Sequence, residues 1–245
     1  MMILKRAASA VIGSVLFFGG MGMTAASNLA PELEPKATTP HQELMAFLLR
    51  GPANPALLSG KHVAVIIEDG ADAVTFQLAR DYLVEQGATV DVLTPRGEVR
   101  AEASIRASQT SVISHDYAGN ERLTTPDAFL DETDPRSYQA VYLPGNHPDT
   151  QSLEGNAEIA RYAAHAASAG KPVFAMGDSS LLLARGNLLR GRHATGARNM
   201  QAFLVWSGVE VADEPVVRDS VIYTSRDAFD LPRLMGVMTE LLSTP

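Results

Sequence analysis

The sequence predicts an α/β fold, a doubly wound and mostly parallel sheet with helices on both faces. Three observations carry this. Short apolar runs at His62–Ile67 (HVAVII), Tyr138–Leu143 (YQAVYL) and Lys171–Met176 (KPVFAM) have the length and continuous hydrophobicity of strands buried on both faces. Between them lie segments with apolar residues at helical spacing, closed by glycines. Strand and helix alternate from residue 60 onward, the pattern of βαβ units, which places ligands at the C-terminal ends of the strands.

Taken in order, residues 1–27 read as a signal peptide. Lys5 and Arg6 form a positive n-region, Ala7–Phe18 an apolar h-region, and Thr24-Ala25-Ala26-Ser27 a small-residue cleavage region. Gly19, Gly20 and Gly22 interrupt the apolar stretch, which falls short of a span of about 20 residues, so cleavage near Ala26 or Ser27 is expected rather than a retained anchor. A periplasmic or secreted protein follows. Residues 28–59 hold a linker rich in Pro, Ala and Glu and then a short helix. Thr39 with Gln42 makes a capping box, Pro40 suits the first helical position, and Leu44, Phe47 and Leu48 share a face ahead of Gly51-Pro52. So short a helix is marginal alone, and its apolar face needs the main domain or a second subunit.

Residues 60–245 form the domain proper. After the strand His62–Ile67 come a Glu68-Asp69-Gly70 turn and a helix with Phe76, Ala79, Tyr82 and Leu83 inward, capped by Gly87. Thr89–Leu93 is a second strand, Gly97–Ile113 a pair of short extended pieces, and Tyr117–Pro135 a surface loop that keeps Leu123, Phe129 and Leu130 to bury. Tyr138–Leu143 ends in Pro144-Gly145-Asn146-His147. A helix then starts at an Asn156 cap, with Ile159, Tyr162, Ala163 and Ala166 as its stripe, and stops at Gly170. Beyond Met176, Asn199–Ser207 is helical with Gly208 as its cap, and Pro215–Thr224 holds a strand pair. Asp230 caps a final helix with Leu234, Val237, Met238 and Leu241 on one face.

Composition narrows the function. The 245 residues include no cysteine, which excludes disulfides, thiolate nucleophiles and cysteine metal sites. The net charge is −8, and loss of Lys5 and Arg6 takes it to −10 with no basic cluster left, so neither nucleic acid nor, after cleavage, a membrane is an expected partner. None of the six histidines is paired at metal-ligand spacing, so no metal and no cofactor is expected.

The stretch Lys171–Leu183 (KPVFAMGDSSLLL) reads as a strand, a sharp turn and a helix start, the place where many α/β enzymes present a nucleophile. Gly177 occupies the turn, where a residue with positive φ is needed and a glycine presents nothing. Asp178 sits at a helix N-terminus, whose dipole favours the ionised form and capping over general-acid work. Ser179 is either a nucleophile in a degenerate G-x-S-x-G, with Leu181 in place of the second glycine, or a helix cap. His147 follows the strand-end Gly145-Asn146, which is either an anion-binding set of amides or a tight strand exit.

From about Lys61 to Leu242 the chain resembles the ThiJ/PfpI superfamily, of the class I glutamine amidotransferase type with a flavodoxin-like fold. The residues that carry this are HVAVIIEDGAD, YQAVYLPGN, GKPVFAM, and then LLRGRHAT, VADEPVVRD and YTSRDAFDLP in order. Lys61–Glu102, with DGADA and RGEV, is also similar to the C-terminal domain of large-subunit catalases, a module regarded as non-catalytic. Active members of the superfamily work through an elbow cysteine, often followed by histidine, and a carboxylate on the helix after the first strand. The resemblance puts Gly177, Asp178 and Thr75 at those positions, so all three depart from the pattern. It implies a pseudoenzyme that serves as a binding or assembly module, with a small-molecule ligand at Thr75, Gly145, Asn146 and His147, and homo-oligomers. The alternative is a noncysteine hydrolase, amidase or glyoxalase-like enzyme using Asp178 with His147 or Ser179 on small carbonyl, amide or ester substrates.

Overall fold

The computed structural model describes residues 39–51, 53–96, 112–116, 118–145 and 157–244. The expected signal segment, the expected linker up to residue 38, most of the Gly97–Ile113 piece, Asn146, His147 and the expected Asn156 cap lie outside them. In chain order the elements are α1 (Pro40–Leu48), β1 (His62–Ile66), β2 (Ala71–Asp72), α2 (Ala73–Glu85), β3 (Thr89–Thr94), β4 (Val112–His115) and β5 (Glu121–Thr124). There follow β6 (Ala128–Phe129), β7 (Ala140–Leu143), α3 (Ala157–Ser168), β8 (Val173–Met176), α4 (Ser179–Arg185) and β9 (His193–Ala194). The chain closes with α5 (Gln201–Trp206), β10 (Glu210–Val211), β11 (Val216–Asp219), β12 (Ile222–Ser225) and α6 (Leu231–Ser243).

A seven-stranded sheet in the order β11-β12-β8-β7-β1-β3-β6 forms the centre, parallel except for the antiparallel edge pair β11–β12. Alternation along β1 shows why both faces must be covered. Ala64 and Ile66 point into a core with α3 and α4, while Val63, Val65 and Ile67 point into a second core with α2 and α6. The same split divides β8, with Val173 and Ala175 on one face and Phe174 and Met176 on the other. The α/β, doubly wound reading of the sequence is thus correct.

Helix α1 forms as its capping box requires, with Gln42 N donating to Thr39 Oγ1 and Thr39 N to Gln42 Oε1. Its apolar face is only partly covered. Phe47 lies against Tyr82 of α2, with ring centroids 5.0 Å apart, and Glu43 pairs with Arg233 of α6, whereas Leu48 is exposed.

Three expectations need correction. The Tyr117–Pro135 stretch is not all loop, since β5 pairs with β4, and β6 extends the main sheet beside β3. Its turn-rich composition hides these strands because they are short and exposed, with Leu123 left 66% accessible. Leu130 is buried in the core as expected, and a polar anchor is added to it: Val92 N donates to Asp127 Oδ2, and Asp127 N donates to Val92 O. On α6 the fully buried residues are Leu231, Leu234, Met235, Met238 and Leu242, with Val237 and Leu241 partly buried, so the inward face is rotated from the one predicted.

Asp230 stands at the N-terminus of α6 but makes no capping bond with its side chain. It is 1% exposed and takes a two-point ion pair from Arg226, Nε to Oδ2 at 2.7 Å and Nη2 to Oδ1 at 3.1 Å, while Arg226 Nη1 reaches Asp213. A forked guanidinium outcompetes the weaker helix amides for the carboxylate. Asp230→Ala leaves Arg226 buried with only Asp213 and is expected to lower unfolding free energy by about 3 kcal/mol in urea titration. A loss within experimental error would show that the pair contributes nothing net.

Candidate functional site

Strand β1 lies between β3 and β7, so the chain leaves it toward one edge of the sheet and later returns on the other side. In open α/β sheets such a reversal is where ligand sites lie, beyond the strands' C-terminal ends. Three segments meet there. They are the β1–α2 turn with Asp72 and Thr75, the β7 exit Pro144-Gly145, and the elbow Gly177–Ser180 between β8 and α4.

Hydrogen bonds tie these segments together. Asp72 N donates to Gly145 O at 2.8 Å, Gly145 N to Thr75 Oγ1 at 3.3 Å, and the Tyr142 hydroxyl to Thr75 O at 3.2 Å. Thr75 Oγ1 also donates to Asp72 O, and Ser179 Oγ makes a short hydrogen bond to Pro144 O. Thr75 is therefore a buried connector, as a threonine can be where a carboxylate would carry charge. Because Gly145 N is already bonded, that amide is not offered to an anion, and at Gly145 the strand end is a tight exit. Asn146 and His147 lie outside the described residues.

Gly177 has φ of 58°, and its N donates to Ser225 O at 2.8 Å. A Cβ placed on it would stand 3.5 Å from Arg226 O and 3.9 Å from Gly145 Cα, which are ordinary contacts. Backbone conformation, not crowding, is what favours glycine here. Ser179 is the first residue of α4 rather than its cap, and its hydroxyl proton is directed to Pro144 O in a buried setting. It is poorly placed to attack anything.

Asp178 departs most from expectation. It holds the N-cap position of α4 without a side-chain capping bond, because its backbone is helical (φ −71°, ψ −19°) whereas a capping residue is normally extended so that its side chain can fold back onto the amides. Only 8% of the residue is exposed, and Oδ1 is buried with no hydrogen-bond partner among the described residues. Burial first, and then the charge of Asp72, push its pKa up rather than down. The dipole argument made from sequence is overturned by desolvation and a second carboxylate.

Asp72 is the site residue that sequence reasoning missed. It is 7% exposed, and its Oδ1 accepts from Val74 N at 2.8 Å as the cap of α2. The signal was present as an Asp two residues after Asp69-Gly70 at a helix start, but nothing in the sequence says that Asp178 would come near it. Among the described residues no group of three or more His, Cys, Asp or Glu is placed to hold a metal.

These facts set a pH dependence. The folded chain keeps the Asp178 proton above the ordinary value of 3.8 that holds when unfolded, so the folded state binds more protons in that window and stability falls as pH rises through it. Asp178→Asn is expected to melt higher than wild type at pH 8, by about 2–4 °C for each kcal/mol released, and to lose this advantage near about pH 4. Calorimetric melting across pH checks this, and a variant that melts lower than wild type at pH 8 would mean the carboxylate is stabilised rather than strained.

Comparison with known proteins places the chain. The model of the DJ-1/PfpI family matches residues 61–241. Protein/nucleic acid deglycase 2 of Escherichia coli K12 is 29% identical over 174 residues, which cover 70% of this chain and 92% of that protein. A two-domain protein from Anabaena variabilis with DJ-1/ThiJ/PfpI-like and ferritin-like domains is 26% identical with a TM-score of 0.61, over 74% of this chain and 47% of that one, so this chain spans about half of it. Drosophila melanogaster DJ-1beta shares the fold, with a TM-score of 0.62 at 22% identity over 76% and 91% of the two chains. With an elbow of positive φ between a buried strand and a helix and a family match over most of its length, the chain belongs to the DJ-1/PfpI family.

Proposed function

We propose that this protein is an exported member of the family that binds a small polar molecule in the strand-end crevice and does not convert it by thiolate chemistry. The observation that carries the reading is the elbow. Gly177 presents no side chain, and the chain has no cysteine elsewhere to take its place. Around it Thr75 and Ser179 are both held in hydrogen bonds within the fold. Binding survives such losses because it needs only shape and matched polarity, whereas covalent catalysis needs a nucleophile and a base.

Export is supported by the charged, apolar and small-residue succession of residues 1–27. Self-assembly is supported by α5, where Ala202, Phe203, Val205 and Trp206 all face outward and Trp206 is 89% exposed. A helix apolar on every side is normally covered.

A second reading is favoured by one observation. A carboxyl whose proton is held more tightly than usual, in a dry crevice, is suited to general-acid chemistry, so Asp178 would act on a small carbonyl, amide or ester without cysteine. The deglycase activity in the name of the Escherichia coli relative makes α-oxoaldehydes the first substrates to try. Purified protein is expected to show no turnover above buffer of α-oxoaldehydes or of activated esters and amides. Turnover that disappears in Asp178→Ala would replace the binding reading with the enzymatic one.

The elbow also yields a prediction about a reintroduced thiol. Gly177→Cys has room for its Cβ, so it is expected to fold at a cost of about 1–2 kcal/mol for the left-handed backbone. Nearby Asp72 and Asp178 disfavour a thiolate, and alkylation rates against pH should place the thiol above the ordinary value of about 8.5. A thiol ionised at pH 7 would mean that the crevice still stabilises negative charge.

A further inference from the structure

We propose that this protein assembles head to tail, with Trp206 of one copy seated in the groove between α1 and α2 of the next and Arg190 paired there with Glu85. This rests on the reading that α5 mediates self-assembly and adds the surface that α5 meets.

The inserting side is built from α5 and the loop before it. Phe203, Val205 and Trp206 are exposed while Leu204 between them is fully buried, so the helix is anchored by one side chain and offers the others outward. Together the three present roughly 400 Å² of mainly aromatic surface, about half of the ~800 Å² that each partner buries in a stable interface. Polar contacts at the rim must therefore contribute. Arg190 stands at that rim, since a Cβ placed on Gly208 would lie 3.4 Å from Arg190 Cγ, and Gly191 N donates to Gly208 O at 2.7 Å. Arg190 is exposed and has no carboxylate partner among the described residues, whereas Arg50, Arg96, Arg136, Arg192, Arg226 and Arg233 each have one.

The receiving side is an open groove of about 360 Å³ past the C-terminal end of α1, lined by Leu48, Arg50, Gly51, Ala53 and Glu85. The Arg50 guanidinium lies 4.7 Å from the Phe47 ring centre and 5.4 Å from that of Tyr82, and those two rings are 5.0 Å apart. Such a triangle is close to equilateral, so both rings stand to one side of the guanidinium and its other flat face is left for a further ring. Tryptophan is the ring that a cation attracts best. Arg50 Nε and Nη2 both donate to Glu85 Oε2, at 3.1 Å and 2.5 Å, which leaves Oε1 of this exposed side chain for another donor. An indole on Arg50 and a guanidinium on Glu85 complement the groove in shape and in charge.

Topology decides how the copies are arranged. Leu204 of α5 belongs to the core under α3 and α4, whereas Phe47 of α1 packs on the core under α2 and α6, so the two surfaces lie on opposite faces of the sheet. A contact between unlike surfaces repeats from copy to copy and gives a ring or a filament, according to whether the rotation closes. Pairing α5 with α5 about a twofold axis would instead leave Arg190 without a carboxylate.

The test is sedimentation velocity of the purified protein over a concentration series. Wild type is expected to associate, and Trp206→Ala and Leu48→Lys each to associate at least tenfold more weakly, the second because it sets a positive charge in the groove against Arg190. Both side chains are exposed, so neither change disturbs the core. An equimolar mixture of the two variants is expected to form dimers and nothing larger, because Trp206 of the Leu48→Lys chain still meets the intact groove of the Trp206→Ala chain. Trp206 is the single tryptophan, and its emission is expected to shift to the blue as wild type associates. Association lost in Trp206→Ala but kept in Leu48→Lys, a mixture that stays monomeric, or association without an emission shift overturns the head-to-tail contact. Association unchanged in Trp206→Ala, or a wild type that stays monomeric throughout, overturns both this contact and self-assembly through α5.

Discussion

A strand buried on both faces has no side chain left for chemistry except at its ends, and this constraint organises the molecule. β1, β7 and β8 bury every residue from Val63 to Ile66, Ala140 to Leu143 and Val173 to Met176. Polar function is consequently confined to the few residues where these strands stop and the backbone turns. Those residues hold one another in place. Asp72 bonds Gly145, Gly145 bonds Thr75, and Ser179 bonds Pro144, so that three chain segments far apart in sequence share one network. A network closed by main-chain groups fixes the Gly177 turn from both sides, and glycine takes the positive φ there without strain.

The electrostatics at these strand ends are set by a few side chains. A hydroxyl at Thr75 completes hydrogen bonds without bringing charge. Negative charge enters instead at Asp72 and Asp178, on the two elements that enclose Gly145. On the far side of the elbow Arg226 is fully committed to Asp230 and Asp213, and it presents its carbonyl to Gly177 while its guanidinium points to α6. Arg226 is thus committed to a structural pair.

Much of the fold was legible because it rests on periodicity. The continuous runs of β1, β7 and β8, the inward stripe of α3 and the capping box of α1 are local patterns with local causes. What stayed hidden depended on contacts between distant segments. β6 is two residues long and is recognised only by its pairing with β3. Asp230 looks like a cap until Arg226 reaches it. Gly177, Thr75 and Gly145 were placed at one site by resemblance and meet there, but Asp72 went unnoticed because only the tertiary structure brings it beside Asp178.

Asp178 is where the local and global rules disagree most, and the disagreement is informative. A helix N-terminus alone would favour its charged form by at most a kcal/mol or two, and a capping hydrogen bond would add a similar amount. The elbow denies it the extended backbone that capping needs, and burial beside Asp72 then opposes ionisation. A mismatch of this kind costs stability wherever it occurs, and in natural chains such violations concentrate at sites of function. The Gly177 turn and the unmet carboxylate are adjacent in sequence, and the helical backbone of Asp178 directly after the turn is what leaves its side chain without a capping bond. The polar group that the fold leaves unsatisfied here is thus the Asp178 carboxyl, while Gly177 leaves none.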